Sequence, residues 1–155
     1  MGQPDGRDYE WLELAIEESL RCPPSDRAYS VGAVIVDERG TEVSRGHSRE
    51  SGAHVHAEEA ALGKVPAGDP RLPAATIYAS LEPCSRRASR PLSCTELIIA
   101  ARIGRVVFAW REPDIFVPGA DGRERLARAG VAVREVPELA GRARAVNAHL
   151  WRPYG

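Results

Sequence analysis

Apolar residues near the start of the chain recur at helical spacing, whereas those further on form continuous runs. One face of a predicted first helix carries Trp11, Leu12, Ala15, Ile16, Ser19 and Leu20, and the prolines at 23–24 end it. The unbroken apolar run at 31–36 predicts a strand that is buried on both faces. A turn at 37–40 leads to a second strand near 41–46, so these two strands are predicted to form a hairpin.

The rest of the chain alternates between predicted helices and strands. Strands are predicted at 76–81, 106–110 and 131–136, and helices at 56–62, 122–129 and 139–150. Ser93 and Glu96 form a capping-box pattern that starts one further helix, and Gly63 and Gly104 are placed to end two helices. Because crossover helices connect parallel strands, this order predicts a layered α/β fold with five strands. A single domain over 1–155 is expected.

Composition narrows the classes of partner. The chain is 43% hydrophobic and 28% charged with a formal net charge of −1, so it lacks the basic surplus of a nucleic-acid binder. No apolar stretch approaches the ~18–20 residues that cross a bilayer, and no secretory signal pattern is present. We therefore expect a cytoplasmic protein with a small-molecule partner, no nucleic acid and no membrane contact. In that compartment grouped cysteines indicate a metal or catalysis more often than a disulfide.

Four residues form a pattern that can carry chemistry. His56 and Glu58 stand at the start of a predicted helix, Cys84 follows a predicted strand, and Cys94 lies in the first turn of the next helix. Imidazole and thiolates are ligands that Zn²⁺ prefers, and a catalytic zinc keeps three protein ligands and one open position. A helix N-terminus lowers the pKa of a thiol, so Cys94 is predicted to bind as a thiolate.

The spacing of His56 and Glu58 constrains where such a site can lie. Two positions along a helix are rotated by about 200°, so the two side chains diverge if the metal lies beside the helix. They converge only if the site lies beyond the helix N-terminus. The positive ends of two helices then face one cation, and the two thiolates and the carboxylate supply the compensating negative charge.

Two other interpretations of the cysteines stay open. The zinc site could be a closed structural one with Cys22, His54 or His47 as fourth ligand, although Glu58 would then have no role. The cysteines could also be unligated core residues. Cys22 itself is expected to be a core residue, and His47 and His149 are expected at the surface or in packing contacts.

The chain resembles the cytidine-deaminase superfamily, whose signature is His-x-Glu followed by Pro-Cys and a second cysteine, with a glutamate that moves protons. Within it, the sequence is most similar to the deaminase domain of bifunctional riboflavin-biosynthesis enzymes. The matching segments are Val-Gly-Ala-Val-Ile-Val at 31–36, His-Ala-Glu at 56–58, Leu-Glu-Pro-Cys-Ser at 81–85, and Cys94. The resemblance implies a three-layer α/β/α cytidine-deaminase-like fold with a central five-stranded mixed sheet, and a homodimer or homotetramer.

The same resemblance implies the chemistry of the site. It gives zinc as the cofactor, His56, Cys84 and Cys94 as its ligands, and Glu58 as the catalytic residue that transfers protons during hydrolytic deamination. The sequence departs from the family at Tyr29-Ser30, where the family has Asn-Pro, at His54, and in a longer loop between the cysteines. Candidate substrate contacts are Tyr29, Ser30, His54, Arg86, Arg87, Arg90 and Trp110. The three arginines either bind a substrate phosphate or are solvated loop charges.

Four functions follow from these observations. The leading one is a zinc hydrolase that deaminates an aminopyrimidine, including the phosphorylated diaminopyrimidine of riboflavin biosynthesis. A cytidine, deoxycytidylate or other nucleobase deaminase is the second. An editing deaminase acting on nucleic acid is disfavoured by the long spacing between Cys84 and Cys94 and by the net charge. A zinc-binding module without enzymatic activity is the fourth, and the presence of Glu58 argues against it.

Overall fold

The computed structural model of the chain describes residues 6–85, 87, 91–111 and 122–151. Its helices are α1 (Gly6–Ser19), α2 (Ala57–Gly63), α3 (Cys94–Ala101), α4 (Gly122–Arg128) and α5 (Ala140–Val146). Its strands are β1 (Gly32–Val36), β2 (Glu42–His47), β3 (Thr76–Leu81), β4 (Arg105–Trp110) and β5 (Ala132–Glu135). Short 3₁₀ turns occupy Leu72–Ala74, Pro137–Leu139 and Ala148–Trp151. No helix within the described ranges is both long enough and apolar enough to cross a membrane.

The five strands form one mixed sheet in the order β2-β1-β3-β4-β5. Strand β1 is antiparallel to both β2 and β3, and β3, β4 and β5 are parallel to one another. The predicted hairpin and the predicted parallel crossovers are therefore both confirmed. Because β3 and β4 are parallel neighbours, the loops after Leu81 and Trp110 leave the sheet at the same edge.

Helices cover both faces of the sheet, which confirms the three-layer α/β/α architecture. On one face Ile35, Ile77 and Phe108 pack with residues of α2, α3 and α4. On the other face Val34 and Val107 pack with residues of α1 and α5. Successive β1 residues thus point into different clusters, and all five are buried, as the apolar run predicted.

One buried carboxylate ties α1 to the sheet. Asp8 is 3% exposed and accepts hydrogen bonds from Tyr78 Oη at 2.7 Å, Arg105 Nη1 at 3.0 Å and Arg134 Nη1 at 2.9 Å. Burial acts to raise the pKa of Asp8, but the hydrogen bonds from Arg105 and Tyr78 outweigh it and the pKa falls below its usual value. This network links the first helix to β3, β4 and β5.

Of the two glycines predicted to end helices, Gly104 has a different role. Helix α3 ends before Gly104, because Arg102 adopts a left-handed conformation (φ 62°) and its N–H caps the carbonyls of Ile98 and Ile99. A side chain on Gly104 would lie 2.2 Å from the carbonyl oxygen of Pro73, so this glycine allows a close chain crossing. Gly63, in contrast, is the last residue of α2, so this helix ends where the sequence predicted.

The ends of the first and last helices also differ from the sequence prediction. Leu20, predicted on the apolar face of the first helix, lies beyond α1 and is 68% exposed. The predicted helix 139–150 is split into α5 and two 3₁₀ turns. Asn147 interrupts it, because its side chain accepts from Ser30 N at 2.7 Å and donates to the Ser30 carbonyl at 3.1 Å.

Candidate active site

Three chain segments bring the predicted ligands together at one edge of the sheet. Cys84 follows the carboxyl end of β3, Cys94 is the first residue of α3, and His56 is the N-cap of α2. The capping box of α3 is present as predicted, with Glu96 N donating to Ser93 Oγ at 3.1 Å and Ser93 N donating to the Glu96 carboxylate at 3.3 Å. Both helices therefore point their N-termini at the same place.

The ligand atoms of His56, Cys84 and Cys94 lie within 4.8 Å of one another. Nδ1 of His56 is 3.6 Å from Sγ of Cys84 and 3.3 Å from Sγ of Cys94. A tetrahedral zinc with ~2.0 Å bonds to nitrogen and ~2.3 Å bonds to sulfur places these atoms roughly 3.5 Å apart. The donor set and its spacing therefore fit zinc without rearrangement of the backbone.

No fourth ligand completes this group among the residues that the structure describes. Sγ of Cys22 faces the Val31 carbonyl at 3.5 Å, and His47 lies in a separate cluster with Glu18 and Glu50. His54 is not part of the group either. A site with three protein ligands leaves one position open, which is the arrangement of catalytic zinc centres rather than closed structural ones.

The two cysteines are not electrostatically equivalent. Hydrogen bonds from Cys94 lower the pKa of the Cys84 thiol to about 4, and His56 adds to this effect. The hydrogen bond with Cys84 and burial raise the pKa of Cys94 well above its usual value. In the metal-free chain the first N–H of α3 donates to Cys84 Sγ at 3.2 Å and so stabilises charge on that residue. That Cys94 binds a metal as a thiolate stays a prediction.

The carboxyl group of Glu58 is buried beside this cluster, with 4% of the residue exposed. Burial raises its pKa to about 7, and the negative charge of Cys84 contributes further. Burial lowers the pKa of His56, but the hydrogen bond to Cys84 outweighs this and the net shift is upward. A carboxyl group that titrates near neutral pH can both accept and return a proton.

These groups open into a cavity of about 470 Å³. Its lining includes His56, Glu58 and Cys84 from the centre, and Asp26, Arg27, Tyr29, Ser48, Arg49, His54, Val55, Leu81, Glu82 and Leu150 around them. Most of these wall residues, including Arg49, belong to no recognisable sequence motif. The positive φ of Arg49, 61°, is unusual for arginine. Its guanidinium donates to the carbonyls of Pro23 and Tyr29, so it holds the cavity wall in place.

The predicted substrate contacts occupy different positions. Tyr29 and His54 line the cavity, and the Trp110 ring meets Tyr29 edge-on at 5.3 Å between centroids. Ser30 is buried outside the lining, where its backbone bonds Asn147. Arg86 and Arg90 lie outside the described residues. Arg87 does not line the cavity, because its 3% exposed side chain turns inward to His54 and Glu59.

Comparison with known proteins places this geometry in a family. Residues 6–110, which include His56, Glu58, Cys84 and Cys94, match the cytidine and deoxycytidylate deaminase zinc-binding region. The chain belongs to this deaminase family. Zinc is accordingly the metal that the family implies for the His/Cys/Cys group.

Individual relatives come from riboflavin biosynthesis. The chain is 43% identical over 128 residues to a diaminohydroxyphosphoribosylamino-pyrimidine deaminase of Schizosaccharomyces pombe, covering 81% of this chain and 31% of the relative. It is 36% identical over 135 residues to riboflavin biosynthesis protein RibD of Mycobacterium tuberculosis, covering 81% and 35% respectively. The structure superposes on Acinetobacter baumannii RibD with a TM-score of 0.77 at 30% identity, covering 92% and 38% of the two chains. The chain thus spans about a third of the length of these relatives.

Proposed function

We propose that the chain is a zinc-dependent hydrolytic deaminase that converts an exocyclic amino group of a pyrimidine-type ring to a carbonyl and releases ammonia. One observation carries this proposal: the buried carboxyl of Glu58 lies beside a three-ligand cluster, and Glu58 lines the same cavity as two of those ligands, His56 and Cys84. A structural zinc site needs neither the open position nor the carboxyl group.

His56, Cys84 and Cys94 would hold the metal in this reaction. Bound there, zinc lowers the pKa of a water molecule towards ~7 and so supplies a nucleophile at neutral pH. Glu58 would accept a proton from the attacking water as the water oxygen bonds to the ring carbon, and would pass that proton to the neighbouring ring nitrogen. It would then take the proton of the added hydroxyl group and deliver it to the amino group, so that the C–N bond breaks, ammonia leaves and the carbonyl remains.

The riboflavin precursor is the substrate that we favour. The relatives from Schizosaccharomyces pombe and Mycobacterium tuberculosis support a phosphorylated diaminopyrimidine. A cavity of about 470 Å³ is within the range of ~300–1,000 Å³ that small-molecule sites occupy. Tyr29, Val55 and Leu81 give it an apolar wall against which a planar ring can pack.

Deamination of cytidine or deoxycytidylate is the second candidate. It is supported by the family match, which covers cytidine and deoxycytidylate deaminases. A zinc-binding module without activity is less well supported, since a buried carboxyl that titrates near pH 7 costs stability and has no task in such a module.

The wider setting of the enzyme belongs to the same proposal. We infer a single deaminase unit over 1–155 that works in the cytoplasm as a homodimer or homotetramer on a small molecule. The one continuous sheet of the described residues supports a single unit. The assembly state rests on the family resemblance.

An assay of ammonia release tests the function. Zinc-loaded protein is incubated with the phosphorylated diaminopyrimidine, its dephosphorylated form, cytidine, deoxycytidylate and a single-stranded oligonucleotide. We expect the phosphorylated diaminopyrimidine to give the highest kcat/KM. Removal of zinc with a chelator should abolish this activity, and addition of zinc should restore it. Preference for deoxycytidylate would support the second candidate, and no turnover of any compound would refute the proposal.

A further inference from the structure

The side chain of Arg87 is buried, although the residue belongs to the loop between the two cysteines. Its side chain is 3% exposed. A single nitrogen, Nη2, donates to the His54 carbonyl at 2.5 Å and to the Glu59 carboxylate at 3.2 Å. The Nε and Nη1 atoms are buried and have no hydrogen-bond partner among the residues that the structure describes. Unpaired buried donors cost folding free energy, so stability alone does not explain an arginine at this position.

In the sequence, the two acceptors of Arg87 flank the segment that carries His56 and Glu58. His54 precedes His56 by two residues, and Glu59 directly follows Glu58. The Glu59 carboxylate also accepts from the backbone N–H of His56 at 3.2 Å, as part of the capping box of α2. Arg87 thus connects the loop between the cysteines to the start of α2 on both sides of His56.

Arg87 reaches the candidate centre from within the wall of the cavity. Its Nη2 contacts the two residues that flank the segment carrying His56 and Glu58, whereas Arg87 is not among the residues that line the cavity. This position suits a role that acts through α2.

We propose that Arg87 is a positioning residue for the zinc centre. Its Nη2 bonds to His54 and Glu59 fix the first turn of α2, so that His56 and Glu58 meet the cysteines in the geometry that metal binding and proton transfer need. This inference rests on the proposed function, and it replaces the expectation that Arg87 recognises a substrate phosphate.

Zinc affinity of the metal-free protein, measured by competition with a chromogenic chelator, tests the proposal without turnover. We expect Arg87→Met to weaken zinc binding about 10–100-fold, the usual effect of removing a group that orients a ligand. The same variant should lower kcat with little change in KM. Arg87→Lys should retain most of the zinc affinity and most of kcat, because one ammonium group can donate to both acceptors.

Arg142→Met is the matched control. Arg142 pairs with Glu13 at 3.0 Å, and both side chains are about half exposed. Loss of this surface ion pair should leave zinc affinity and kcat at wild-type values. Wild-type zinc affinity in Arg87→Met would overturn the proposal, as would Arg87→Lys behaving like Arg87→Met.

If Arg87→Met does not unfold cooperatively, Glu59→Gln tests the proposal in its place. Glu59→Gln keeps an oxygen for the His56 N–H and removes the charge that Arg87 pairs with. We expect weaker zinc binding in Glu59→Gln, because the charged contact between Glu59 and Arg87 is lost. Wild-type zinc affinity in Glu59→Gln would overturn the proposal. Wild-type protein that binds zinc but releases no ammonia would refute the proposed function and leave this test of Arg87 intact.

Discussion

The backbone N–H of Cys94 donates to the Sγ of Cys84 at 3.2 Å. Cys94 is the first residue of α3, so this N–H is one of those that a helix leaves without an intrahelical acceptor. The N-terminus of α3 therefore stabilises negative charge on a cysteine outside the helix. This contact adds to the lowering of the Cys84 pKa, whose largest cause is the side-chain hydrogen bond with Cys94; the same hydrogen bond raises the pKa of Cys94.

Alkylation of the metal-free protein should reveal this inequality. At pH 6 we expect iodoacetamide to modify Cys84 first, because its pKa of about 4 makes it a thiolate and it lines the cavity. Cys94 is fully buried and should react only on unfolding. Peptide mass mapping measures both sites, and prior addition of zinc should protect Cys84. Faster modification of Cys94 than of Cys84 would contradict this interpretation.

Glu58→Gln should separate metal binding from proton transfer. The amide nearly preserves the size of the buried side chain but cannot accept and return a proton, so we expect kcat to fall ~10²–10⁴-fold. Zinc content should stay at the wild-type value, because Glu58 is not part of the ligand group. Turnover near the wild-type rate with zinc retained would show that another group moves the proton.

Packing of α2 against β2 should be sensitive to a single methyl group. A side chain on Gly46 would lie 2.6 Å from the backbone N of Ala61 and 2.7 Å from the carbonyl of Ala57. Gly46→Ala therefore displaces the helix that carries Glu58, and we expect a loss of ~1–3 kcal/mol in the free energy of unfolding together with weaker zinc binding.

Gly63→Ala on the same helix is the control for that variant. A side chain at Gly63 meets nothing within 4 Å. We expect it to raise the free energy of unfolding by roughly 0.4–1 kcal/mol in urea titrations and to leave zinc affinity unchanged. Equal effects of the two substitutions would show that Gly46 is not a packing constraint.

The Asp8 network should make stability depend on pH. Asp8→Asn leaves two arginines near a neutral buried group, so we expect a loss on the order of 2–4 kcal/mol at pH 7 in urea titrations. Because the pKa of Asp8 is lowered on folding, its stabilisation is present above the unfolded pKa of about 3.9 and is lost as pH falls further. The difference in the free energy of unfolding between wild type and Asp8→Asn should therefore become smaller below pH 4.

Glu13→Gln on the same helix is the control for Asp8. Its ion pair with Arg142 is exposed, so we expect a change under about 1 kcal/mol at any pH. A gap for Asp8→Asn that stays constant down to pH 2 would contradict the proposed linkage.

Local patterns predicted much of the fold. The strand at Thr76–Leu81 and the capping box at Ser93 follow from period and cap chemistry alone. The role of Gly104 was missed, because the tertiary approach of Pro73 to this glycine is invisible in the local sequence. The break at Asn147 was missed for the same reason, since its partner Ser30 lies 117 residues away.

The candidate site likewise contains residues that the sequence predicts and others that it does not. His56, Cys84 and Cys94 are recognisable from residue type and spacing, and the structure brings them together. The inward orientation of Arg87 was not predictable, because a loop arginine is normally solvated and its acceptors come from a distant segment. The roles of Arg49 and Glu59 likewise depend on backbone geometry that no motif records.

X-ray absorption at the zinc edge of reconstituted protein shows directly whether His56, Cys84 and Cys94 hold a catalytic zinc. We expect one zinc per chain with two sulfur ligands at ~2.3 Å, one imidazole nitrogen at ~2.0 Å and one further light-atom ligand that exchanges with solvent. The spectra of Cys84→Ser and of Cys94→Ser should each show the loss of one sulfur ligand. A closed shell of four protein ligands, or a zinc shell that neither substitution changes, would contradict this expectation.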